Sequence, residues 1–164
     1  MIMLVGIFSL HQLDYYYDLA KDISENASAS GVLYTEEFSM SKNETIYIAS
    51  EVDKSIRNTI DTFLNINNLQ YTSEYNKYFN EDEVNYSFYL INSDGRMHQY
   101  DNGTFIKTTN IIFPYDFTDP QINYSEMIYK PTVVVTIDLG TLENYYFNTK
   151  IIRSSAYIKT KSGE

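Results

Sequence analysis

A chain of 164 residues, 43% of them hydrophobic, is long enough to bury one core unaided and too apolar for a disordered segment. Its 22 acids against 12 bases give a net charge of -10, which excludes a nucleic-acid surface built on clustered Lys and Arg. There is no cysteine, so disulfides and thiolate zinc sites are excluded as well.

The first ten residues, Met1 to Leu10, carry no charge. A membrane span needs about 20 apolar residues, so this run is half a span. It also lacks the charged start and small-residue cleavage site of a signal peptide. It reads either as the buried start of a core helix or as the end of a span that begins upstream of Met1. The start in the middle of an apolar run favours the second. On that reading Ile2, Leu4, Val5, Ile7, Phe8 and Leu10 form a membrane or assembly helix.

The run passes without a breaker into an amphipathic stripe. Leu10, Leu13, Tyr17, Ala20, Ile23 and Ala27 follow helical steps of three and four, with Asp14, Asp18, Asp22 and Glu25 opposite. Small residues then accumulate, and Gly31 is the expected stop. Ala27, Ala29 and Gly31 are candidate helix-packing residues. They serve either a neighbouring subunit or the packing of this helix on the next.

Ser41-Lys-Asn-Glu44 matches a capping box and predicts the start of a second helix. Its apolar face is Ala49, Val52, Ile56, Ile60, Phe63 and Leu64, and Asn65, Asn67 and Asn68 end it. After Tyr71 the pattern alternates. Val84 to Ile91 predicts a strand with Val84, Tyr86, Phe88 and Leu90 on one face. Hairpin turns at Asp94-Gly95 and Asn102-Gly103 make a three-strand meander with Arg96 to Tyr100 and Thr104 to Thr109. Residues 110 to 131, with three prolines, read as irregular. Thr132 to Leu139 and Lys150 to Lys159 are two more strands; in the last, Ile152, Ser154, Ala156 and Ile158 are expected to face the core. The fold class is α+β: a long N-terminal helix and a second helix packed on an antiparallel sheet of about five strands. Residues 1–31 form the apolar-to-amphipathic helix, and residues 32–164 the globular head.

Chemistry-bearing patterns are few. His11 lies in the first helix and His98 in a hairpin strand, and neither joins a nucleophile–base arrangement. The six glycines are scattered, with no phosphate-binding loop. Asn80-Glu-Asp-Glu83 lacks the loop spacing of a calcium site and reads as a solvated loop. Asp94 and Asp101 read as turn residues. No catalytic residue, cofactor or metal is assigned. Lys150, Arg153, Lys159 and Lys161 make the C-terminal end basic; this is either a contact for an anionic surface or, more plainly, a soluble strand edge.

An uncharged segment running into an amphipathic helix with small residues near its end, a second helix, and an antiparallel sheet closing on Ile151-Ile-Arg-Ser-Ser-Ala-Tyr157 resembles the pilin-like proteins. Within them it is most similar to the TadE-type minor pilins of tight-adherence and related secretion systems. The likeness is one of layout over most of the chain. Two features depart from it: a processing site before the apolar segment and a glutamate near its start have no counterpart here. The resemblance implies a non-enzymatic envelope component, anchored in the cell membrane with an extracytoplasmic domain or displayed at the cell surface. Its expected partners are other envelope or pilus-assembly proteins, met through the N-terminal helix, or further copies of itself. The alternative is an extracytoplasmic binding or accessory domain of another membrane-anchored or mobile-element protein.

Overall fold

The computed structural model describes residues 2–36, 44–67, 79, 84–119, 122–143 and 148–158, with side chains described from Leu10 onward. The elements are α1 (Ile2–Gly31), α2 (Ala49–Ile66), β1 (Asn85–Ile91), β2 (Arg96–Asp101), β3 (Thr104–Asn110), β4 (Tyr115–Asp119), β5 (Tyr124–Ile128), β6 (Thr132–Glu143) and β7 (Asn148–Ile158). Five strands form an antiparallel sheet in the order β3-β2-β1-β6-β7, and β4 and β5 form a separate hairpin. This is the α+β architecture expected, with one layer more.

The helices cover one face of the sheet. Val52, Ile56 and Ile60 of α2 and Ala20, Ile23 and Ala27 of α1 are buried in one cluster with Phe88, Val133, Val135 and Ile137. Each buried Val, Ile or Phe side chain there contributes roughly 1.5–3 kcal/mol by leaving water. The β1 face read from the alternation, Val84, Tyr86, Phe88 and Leu90, is the one that joins this core. Both hairpin turns are present. Asn102 and Gly103 take φ of 46° and 78°, the left-handed pair that a two-residue turn needs. The Asn102 side chain then accepts the Tyr86 N–H at 3.0 Å, tying the turn to β1.

Three expectations are corrected. First, α2 begins at Ala49, with Ile48 at its N-cap and no side-chain cap. Glu44 lies outside the helix, and Tyr47 bridges to Thr35, so the capping box does not start it; Ser41 to Asn43 lie outside the described residues. Second, residues 110 to 131 contain the β4–β5 hairpin. Pro114 precedes β4, a position where a missing N–H costs no ladder bond. Phe117 and Ile128 of the hairpin cover the other sheet face, in a second core with Tyr89, Ile91, Met97, Ile111 and Val134. Third, β7 presents the opposite phase to the helical core. Its register pairs Tyr157 with Val133, Ser155 with Val135 and Arg153 with Ile137, so these face α1. Ile152, Ser154, Ala156 and Ile158 face the hairpin side, and not the core under the helices as expected.

Two buried phenols and one half-buried one set an alkaline limit on stability. Burial pushes the Tyr47 and Tyr124 hydroxyls well up. It also takes Tyr89 to about 12, helped by the Asp119 and Asp101 carboxylates. The unfolded chain releases these protons near 10, so above that pH the folded state holds more protons and stability falls as pH rises. The melting temperature should therefore be flat in this term below about pH 9 and drop between about 10 and 12. The phenolate absorbance of these three should then appear together with unfolding; full phenolate titration in a folded chain would show them to be open to water.

Candidate functional site

α1 is a 30-residue helix, about 45 Å long. Burial along it starts late. Leu10 is 60% exposed, Leu13 is partly buried against the core, and from Tyr16 a continuous buried face runs through Leu19, Ala20, Ile23, Ala27 and Val32. Asp14, Asp18, Asp22 and Glu25 lie on its exposed side. Its C-terminal half thus packs with α2 and the sheet. The side chains of Ile2, Leu4, Val5, Ile7 and Phe8 lie outside those described. Among the described residues no helix is long and apolar enough to cross a membrane.

The small residues near the end of α1 are consumed within the chain. Ala27 is fully buried, and Ala29 and Ser30 are half-buried. A Cβ built on Gly31 would stand 3.1 Å from Val133 Cγ1 and 3.2 Å from Val52 Cγ1. Ser30 Oγ accepts a hydrogen bond from Ser55 Oγ of α2 at 2.9 Å. Of the two readings of Ala27, Ala29 and Gly31, packing of α1 on α2 and the sheet is therefore what Ala27 and Gly31 do, and a neighbouring subunit's helix has no access there.

The sequence reading missed a polar cluster under the β4–β5 hairpin. Asp119, 1% exposed, accepts hydrogen bonds from Thr136 Oγ1 and, at 3.1 Å, from Ser154 Oγ. The Thr136 and Ser154 hydroxyls are themselves 2.5 Å apart. A buried carboxylate needs such donors, and these lock the hairpin to β6 and β7. The cluster escapes notice in the sequence because its parts come from three separate strands.

Beside it lies a slot of about 460 Å³ along the outer edge of β7. Glu25 and Ser28 of α1 form one wall, Tyr124 and Glu126 of β5 the other, and residues 154–157 the floor. Tyr124 donates its hydroxyl to Glu126. The wall carboxylates and hydroxyls suit polar or cationic ligand groups.

The histidines stay outside this slot. His98 shares a hydrogen with Thr108 Oγ1 at 2.8 Å, and His11 is exposed. Asp94 accepts the Arg96 N–H, as a turn aspartate does. Lys150 pairs with Asp138 at 2.7 Å, and Arg153 lies over the Tyr17 ring at 4.0 Å, so neither is a free contact for an anionic surface. Lys159, Lys161 and the acidic run 80–83 lie outside the described residues. No cluster of three or more metal-binding side chains occurs among the described residues. Comparison with protein-family models, with curated proteins and with solved structures finds no match to this chain.

Proposed function

We propose that this chain is a non-enzymatic envelope component of pilin-like build, which acts by assembly through the N-terminal part of α1. The observation that carries the reading is one helix in two environments. From Tyr16 onward it is the spine of the head, while the turns around Leu10 and His11 stand at the surface. A helix whose start is uncharged in sequence and whose Leu10 stands exposed is suited to bind lipid or partner helices. Partners are then other envelope or pilus-assembly proteins or further copies of the chain, at the membrane or cell surface.

The second reading, an extracytoplasmic binding or accessory domain, is favoured by the slot along β7. Both readings leave chemistry out of the function. The test is to express the full chain and a chain lacking residues 1–10 in the organism that encodes it. The shortened chain should keep its cooperative melting and leave the envelope fraction. Unchanged envelope retention of a folded, shortened chain would contradict the assembly reading.

A further inference from the structure

The outer edge of β7 is covered in part by the chain's own side chains. In an antiparallel ladder every second residue turns its backbone outward. On β7 these include Lys150, whose carbonyl accepts from Tyr17 Oη at 3.2 Å, and Ile152, whose carbonyl accepts from Arg153 Nη1 at 3.1 Å. Further along, the Ala156 N–H meets the Tyr124 hydroxyl. Such covers blunt an edge that would otherwise pair with any strand. Ser154 lies between them, with the same outward phase, and no group among the described residues caps its backbone N–H and C=O. It is also the floor of the slot, whose walls carry Glu25 and Glu126.

We propose that this gap is a docking site for a short extended segment of a partner protein that carries a lysine or arginine. One residue of the segment pairs its backbone with Ser154 as an added strand. A basic side chain next to it reaches a wall carboxylate. Charge complementarity chooses the occupant: the slot holds two carboxylates and no base among its lining residues, and the whole chain carries -10. Lys21 reaches Glu25 only from the exposed face of α1, at 3.8 Å, and leaves Glu126 to the ligand. Tyr124 and Tyr157 add aromatic area on which the basic side chain can rest. The site uses no residue of the first ten, so it stands or falls separately from the assembly role of α1.

The experiment titrates acetyl-Val-Lys-Val-methylamide and acetyl-Val-Glu-Val-methylamide into the full-length protein and follows backbone amide signals. The lysine peptide should shift signals of Ser154 to Tyr157, Glu25 and Glu126, and the glutamate peptide should not. A Glu25→Gln, Glu126→Gln double variant keeps the shape and the Tyr124 hydrogen bond, and should weaken binding by about tenfold or more. Equal shifts from both peptides, shifts elsewhere on the surface, no shift at the lysine peptide's solubility limit, or undiminished binding in the folded double variant would each overturn the proposal.

Discussion

Ile56→Asp should leave the chain unfolded at room temperature. Ile56 is fully buried in the cluster that joins α2 to β1 and β6. Removing a buried Ile side chain costs about 2–5 kcal/mol. The carboxylate adds to this, because it would sit among Val and Ile side chains with no donor to meet it. Together these consume most of the stability of a domain this size, typically about 5–15 kcal/mol. Circular dichroism and urea melts should show loss of the cooperative transition, while Ile56→Val should cost only about 0.5–1.5 kcal/mol. A cooperatively folded Ile56→Asp protein would show that α2 does not bury this face.

Gly31→Leu is the second large effect, and it acts on the head itself. The closest atoms to a new Cβ belong to Val133 on β6 and Val52 on α2, both in the core. A Cβ alone asks each valine to yield by a few tenths of an ångström; the rest of a leucine has no space between them. Overpacking of this kind costs about 1–3 kcal/mol. For a chain of this length that lowers the melting temperature by roughly 2–10 °C. Gly31→Ala should change it little, since the better helix propensity of Ala offsets the tight contact. An unaltered melting temperature in Gly31→Leu would place α1 farther from the sheet than described, and would reopen the end of α1 to a partner helix.

Elements with strong local patterns were legible in the sequence. α2 carries its apolar stripe at helical steps, and the Asp-Gly and Asn-Gly turns supply the conformations that the meander requires. The hairpin was not legible, because β4 and β5 each bring little apolar material to the sheet and prolines flank β4. A signal for it was nonetheless present in the partner strand. Val133, Val134 and Val135 are three consecutive buried residues, and a strand apolar on both faces requires a layer on each side. The phase of β7 was ambiguous for a physical reason. Ile151 and Ile152 are both buried, on opposite faces, and the Ser-Ser pair after them favours neither. Register there is decided by the bulge between Asp138 and Gly140, where Gly140 takes φ of 92° and the Asp138 side chain accepts its N–H. The slot and the Asp119 cluster were invisible because both exist only once the β4–β5 hairpin is laid against β6 and β7.

The assembly role proposed for α1 is tested most directly by photo-cross-linking in the living organism. A photoreactive residue is placed at Leu10 in the full-length chain, and the same residue at Ile112 serves as a control that is more accessible still, since these positions are 60% and 86% exposed. The expected result is one discrete adduct from Leu10 in the envelope fraction, whether with a partner or with a second copy, and none from Ile112. A Leu10 variant that stays monomeric, in cells where the chain lacking residues 1–10 supports full function, would contradict it.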